Sequence, residues 1–348
     1  MRKTRLANGP LGDSRVRGRS NLGSRMKEPA LMGLAALTVL SCGCLAPESA
    51  RLTAVSVPVE VSAVPLDPRD PSVRTVGAFA YAGGIEVKGA DPGVHELSDL
   101  RIVSGDRLVA VSDAGYLFEA RLLFDATEQL SGLADARVTS LVSERGQPLT
   151  GLEADAEGLD VLPTGDRLVS FERNHRIWLY AGDASPPRPT PSPNADFPAN
   201  GGLEALAVYP AAGPGFYLVG SENGTVWLCS LAGTCDETAF GALVPTGFGL
   251  TALAGYGEVG DFAMLARVYE PRFGTRVSVR LISATGAREG RVLDEMELAA
   301  PFTVDNFEGI AVVPRSPDRI RLYLISDDNG STAQRTYLLA FDWRPYSP

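Results

Sequence analysis

The chain has 348 residues, 45% hydrophobic and 21% charged, with 32 Lys+Arg against 42 Asp+Glu. That length can bury one large core or two small ones, and the composition excludes collagenous, wholly disordered and disulfide-framework chains. A net charge of −10 argues against a general nucleic-acid binder, which needs a basic surface to displace counterions.

In chain order, residues 1–25 lack apolar periodicity and are rich in Arg, Gly and Ser, so they stand apart from the fold as an unstructured leader or a misplaced start. Residues 26–41 have the order of a lipoprotein-type signal peptide. Lys27 supplies a basic region, and Ala30 to Leu40 is an apolar run too short to span a bilayer as a helix. Val39-Leu40-Ser41-Cys42 resembles the bacterial lipobox, with Cys42 as the lipidated residue. An ordinary cleaved signal or a buried N-terminal helix is the competing reading. The expectation is a lipid-anchored protein of the cell envelope, joined to its body by a tether over residues 42–75. Beyond the leader the acidity deepens: from Cys42 onward the balance is 24 − 40 = −16.

Residues 76–343 carry a repeat. Each unit opens on an acidic or hydroxyl residue, runs through an apolar strand and a Gly/Pro turn, and ends its second apolar strand in polar residues. The leading residues are Ser98, Glu157, Glu204, Thr251 and Glu308. A third strand follows in each unit, over Tyr116–Phe124, Arg176–Tyr180, Thr225–Leu231, Val277–Ile282 and Thr336–Phe341. The apolar runs are continuous rather than alternating, as in strands covered on both faces. Radial stacking of sheets does this, so the pattern predicts an all-β chain folded as a β-propeller. Five blades are expected, closed by an N-terminal strand over Val76–Tyr81; a sixth, irregular blade from residues 50–90 is the alternative. Gly182 to Gly202 holds six prolines and is predicted as a surface loop. Cys229 and Cys235 suit a disulfide across a tight loop.

Innermost strands line a propeller's channel, so the five leading residues are predicted to form a ring. Three carboxylates around one axis repel unless a cation neutralises them, and an all-oxygen donor set suits calcium. The competing reading has each Glu capping a turn in its own unit. The ends of the second strands, Asp113, Glu172, Glu222, Arg267 and Asp327, are expected at the same mouth, with Arg173, His175, Arg176, Asp328, Asn329 and Arg335 beside them. Among these, Glu172, Arg173, His175 and Arg335 are the candidate catalytic residues, and the others the candidate substrate contacts. Salt bridges between units compete with that reading. The chain contains no Gly-x-Ser-x-Gly elbow, no Walker-type phosphate loop and no Arg-His-Gly-x-Arg run.

Three stretches carry a family resemblance. They are Ala154–Leu159 with Phe171–Arg176; Asn200–Leu206; and Val304–Ile310 with Ser326–Asn329 and Gln334–Thr336. Over roughly Val76 to Phe341 the chain resembles the bacterial exported phytase-like family, "esterase-like activity of phytase". Ala266-Arg267 departs from the family's Glu-Arg, and Gly330 stands where an aromatic is common. The ring order Ser, Glu, Glu, Thr, Glu is also similar to that of calcium-activated nucleotidases. The resemblance implies a phosphoester hydrolase with an axial calcium and a small anionic substrate. A non-catalytic binding propeller with a structural calcium is the rival, and a carboxylic esterase comes third. The protein is expected to work as a monomer at a membrane, without nucleic acid.

Overall fold

Continuous apolar runs arise because each strand serves two cores. In Arg107–Ser112, Leu108 and Ala110 join a cluster with Ile85 and Val87, while Val109 and Val111 join another with Leu159 and Trp178. Leu168 and Val169 of Arg167–Phe171 likewise enter different clusters. A sheet with one wet face would alternate apolar and polar residues instead.

The computed structural model describes residues 53–182, 185–257 and 260–345. Cys42 and the predicted signal segment of residues 26–41 lie outside the described residues. The body is built from antiparallel four-stranded units. The first comprises Leu97–Val103, Arg107–Ser112, Tyr116–Phe124 and Leu130–Ser140. The second comprises Ala156–Val161, Arg167–Phe171, Arg176–Tyr180 and Arg188–Thr190. The third comprises Leu203–Val208, Phe216–Ser221, Val226–Ser230 and Thr234–Glu237. The fourth is Gly249–Tyr256, Asp261–Glu270, Gly274–Gly286 and Glu289–Leu298. The last takes Asn306–Ser316, Arg319–Asp327 and Thr336–Trp343 from the C-terminal end, and Phe79–Gly89 from the N-terminal side. A single parallel pair, Gly83 with Leu130, joins that last sheet to the first.

Innermost strands pack each against the next, and Asn306–Ser316 packs against Leu97–Val103, so the ring closes. One apolar cluster fills each gap between neighbouring units. The architecture is an all-β propeller. Glycine permits the inner strands' close approach: a Cβ on Gly309 would stand 2.7 Å from Asp99 Cα of the first unit.

Two local expectations change. The N-terminal closing strand is Phe79–Gly89, longer and later than Val76–Tyr81, and Val59–Ala63 adds to its edge rather than starting another sheet. The proline-rich segment also contains a strand. Pro189 of Arg188–Thr190 sits opposite Trp178 at the outer edge of the second unit, where a missing N–H need not break the ladder. Cys229 and Cys235 face each other across two outer strands and are joined as a disulfide. Among the described residues, helices are short 3-10 turns such as Pro92–Val94, and none is long and apolar enough to cross a membrane.

Candidate functional site

Each of the five leading residues falls in a β-bulge of an innermost strand. The ladder pairs Leu97 with Ser112 and then Asp99 with Val111, leaving Ser98 extra. Glu204, Thr251 and Glu308 are skipped in the same way, and Glu157 with Gly158 opposes Ser170 alone. A bulge re-aims a side chain away from the pleat's alternation. Here it turns residues at one level of five strands to a common place.

The glutamates and hydroxyls of that ring then part ways. Glu157, Glu204 and Glu308 line an axial cavity of about 620 Å³. Ser98 and Thr251 are buried, and their hydroxyls donate to Glu96 O at 3.4 Å and Leu265 O at 3.3 Å. All five second-strand ends, Asp113, Glu172, Glu222, Arg267 and Asp327, line the same cavity, together with Arg173 and Asn329. Sequence reasoning missed Asp155, Asn200 and Asp305, which reach the cavity from segments before inner strands, and Asn306, the first residue of its inner strand. The polar residue two places before Glu157 and Glu308, Asp155 and Asn306, was the available signal. The lining therefore holds nine carboxylates against two guanidiniums.

Four predicted residues serve elsewhere. His175 rests its Nε2 3.1 Å from Pro198 O and packs on Phe197. Arg176 lies over the rings of Phe171 and Trp178 and donates to Asn174 O at 2.9 Å. Asp328 holds His95 at 2.7 Å, and Arg335 stands 3.4 Å from Glu86; both line a separate hollow of about 360 Å³. Of these contacts, Asp328 with His95 reaches from the last unit to the approach to the first, whereas Arg335 and Glu86 belong to one unit. Glu172, a strand-end residue outside the ring, accepts on Oε1 from the backbone N–H of Gly201 and of Gly202, which lead into the third unit.

Electrostatics separates the cavity from ordinary surface acid. Burial pushes the Glu157 carboxyl well above its usual range, and Glu204, Glu308 and Asp113 push it further. Glu204 is raised likewise, by burial and then by Glu172, Glu308 and Glu222. Asp113 is pushed up to about 8 by burial, then by Glu96, Asp155 and Glu308. Asp327 rises to about 9, again chiefly by burial. Glu308 is raised by burial, opposed by Arg267 at 3.0 Å and by the Asn306 amide at 2.7 Å. Arg173 pairs with Asp155 at 2.6 Å. Like charges this close cannot all ionise alone.

A bound cation would relieve that repulsion. One carboxylate oxygen each from Asp155, Glu157 and Glu172 lies within 4.8 Å of the others, a grouping able to hold a metal ion. The donors are hard oxygens, which fits a cation such as calcium and not a thiolate-seeking metal.

Fold and site together define a β-propeller with an acidic axial cavity. Within that class, a family model for the phytase-like proteins, "esterase-like activity of phytase", matches residues 92–330, and the chain belongs to that family. No curated protein matches it significantly. Among solved structures it is similar to a proposed gluconolactonase, at 13% identity over 86% of this chain and 93% of that one, with a TM-score of 0.43. It is also similar to an inactive virginiamycin B lyase from Staphylococcus aureus with quinupristin, at 11% identity over 82% and 99%, TM-score 0.39. A streptogramin B lyase matches at 9% over 76% and 97%, TM-score 0.37.

Proposed function

We propose that the protein is a calcium-dependent phosphoester hydrolase built on a five-bladed propeller, exported and held at the cell envelope by a lipid on Cys42. The observation that carries the reading is the convergence of Asp155, Glu157 and Glu172 inside a cavity lined by nine carboxylates. A phosphate dianion would be repelled from such a cavity, so an anionic substrate needs cations there before it can enter. Bound calcium would supply the charge that polarises a phosphoryl oxygen. The chain's own groups do the rest. Asp155, Glu157 and Glu172 would hold the cation, with Glu204 and Glu308 in the same cavity. Arg173 and Arg267 temper the carboxylates they pair with and face the incoming anion. Asn306, bonded to Glu308 at 2.7 Å and Asp327 at 3.2 Å, keeps those two acids in place.

The non-catalytic rival has one specific observation in its favour. Both arginines of the cavity already sit on carboxylates, so neither guanidinium is wholly available to a phosphate. The carboxylic esterase gains nothing: His95 gives both ring nitrogens to Asp328 and Gly89 O, and His175 has Nε2 on Pro198 O and no nucleophilic side chain bonded to Nδ1. Neither is left as the base of a nucleophile–base pair.

The deciding experiment offers purified protein a panel of phosphomonoesters and carboxylic esters, with chelator and with calcium, beside Glu204→Gln. Phosphoester turnover that disappears with chelator and returns with calcium is expected. Turnover indifferent to both chelator and variant would sink the calcium mechanism. Calcium that raises the melting temperature without any turnover would establish the binding rival. Labelling with a radioactive fatty acid, lost in Cys42→Ala, tests the anchor.

A further inference from the structure

Directly along the axis from the ring lies a second charged group that the proposed chemistry does not use. Arg101 is buried, with 7% of its surface exposed. Its Nη1 is 3.0 and 3.1 Å from the two carboxylate oxygens of Asp99, and its Nε is 3.0 Å from Asp160 Oδ1. The same guanidinium donates to Ile310 O at 3.0 Å and Leu253 O at 2.8 Å, and also to Leu100 O and Leu206 O. Asp99 Oδ2 completes the set by accepting the Leu159 N–H at 3.0 Å.

Those five backbone contacts follow one rule. Leu100, Leu159, Leu206, Leu253 and Ile310 each stand two residues beyond Ser98, Glu157, Glu204, Thr251 and Glu308. One ion pair thus touches every innermost strand, at one level, about 7 Å of strand from the ring. The residues three beyond the leaders are Arg101, Asp160, Ala207, Ala254 and Ala311. Ala207, Ala254 and Ala311 are buried in the apolar clusters between units, so Arg101 is the one large side chain at this position of the inner strands.

We infer that Arg101 is the positioning residue of the axial cation site, fixing the radius of the ring and so its preference for an ion of calcium's size. The inference rests on the cation reading above. A channel plug needs only volume, and an apolar side chain would supply it. A planar guanidinium with five donors in fixed directions does more, because it holds several carbonyls at set distances from one centre. Calcium takes oxygens at about 2.3–2.6 Å and magnesium at about 2.0–2.1 Å. A ring held open from below disfavours the smaller ion; a ring free to contract loses that preference.

The test titrates calcium and magnesium into the chelator-treated full chain by calorimetry, in wild type and Arg101→Lys. Lysine keeps the charge between Asp99 and Asp160 but cannot reach the carbonyls as a fork. The expected result is a calcium Kd weakened about tenfold, as for loss of a group that orients ligands, with the calcium-to-magnesium preference falling alongside it. Should Arg101→Lys fail to fold, Asp160→Asn keeps an acceptor for the Val208 N–H while giving up the charge that faces Arg101 and the bond from the Val161 N–H; a smaller change in the same direction is expected. A folded variant with a lowered melting temperature but unmoved calcium affinity and selectivity would make Arg101 purely structural and overturn the inference. A wild type that binds no calcium overturns the cation reading itself, and the inference with it.

Discussion

Two levels of the same axis treat buried charge in opposite ways. At the inner level, Asp99 and Asp160 flank Arg101, and their acceptors and donors are spent on backbone groups of the surrounding strands. At the mouth, nine carboxylates share two arginines, and most have another acid as a neighbour. Burial raises carboxyls at both levels, Asp99 to about 7 and Asp113 to about 8. Burial alone therefore does not mark a site. The scale of the imbalance does: at the inner level one arginine faces two aspartates whose oxygens also accept backbone N–H groups, whereas the mouth sets nine carboxylates against two arginines, a deficit that a bound cation would make good.

The largest test of that contrast removes the central cation of the inner level. Arg101→Met strands two carboxylates in the channel and is expected to cost about 3–5 kcal/mol, as for breaking a buried pair. Urea denaturation in chelator measures it. A loss under about 1 kcal/mol would mean that Asp99 and Asp160 are not held by Arg101 at all.

The pH dependence of the chelated protein comes next. Asp113, Glu157, Glu204 and Asp327 all have folded-state pKa values raised above those of an unfolded chain. Between about 4, where an unfolded carboxyl ionises, and the folded values of about 8 and 9 for Asp113 and Asp327, the folded state binds more protons. Stability is thus fully present below the unfolded pKa and is lost as pH rises through that window. Melting temperatures across the range should fall with chelator and hold with calcium. A chelated protein that grows more stable from pH 5 to pH 9 would contradict the charge deficit.

Changes far from the axis should be blind to it. Replacing Cys229 and Cys235 by serine opens a short loop and is expected to cost about 2 kcal/mol on loop-closure arithmetic. The calcium-induced rise in melting temperature should be the same in this variant as in wild type. A reduced rise would mean that the outer strands of the third unit help to set the mouth.

How much of this was legible differs between the two levels. The ring and the strand ends could be read because a repeat marks its own equivalent positions: Glu157, Glu204 and Glu308 open units that look alike, and Asp113, Glu222 and Asp327 end the next strands. Asp155, Asn200 and Asp305 were harder, since they belong to connecting segments whose lengths differ from unit to unit. Arg101 left no trace in a search for like residues. Its meaning lies in being unlike Ala207, Ala254 and Ala311 at the same position, a break in the repeat rather than a recurrence. Arg188–Thr190 was missed because proline was taken to exclude a strand, when an outer edge only limits which N–H groups are needed. His175, Arg176 and Arg335 sit next to the mouth in sequence, yet each turns to a local partner that strand order alone does not reveal.

Glu204→Gln carries the smallest expected effect and the sharpest sign. Burial raises Glu204, and Glu172, Glu308 and Glu222 raise it further. Neutralising it removes repulsion without stranding an opposite charge, so the chelated variant at pH 8 should be more stable than wild type. Each pKa unit of relief corresponds to about 1.4 kcal/mol, and a gain of about 1 kcal/mol is expected. With calcium present the order reverses, because wild type gains an ion that the variant holds less well. The inner level allows no such reversal: Asp160→Asn weakens the pair with Arg101 and should destabilise the protein with or without calcium. If Glu204→Gln behaved like Asp160→Asn, losing stability in chelator as well, the acids at the mouth would be structural partners, and the distinction between the two levels would fail.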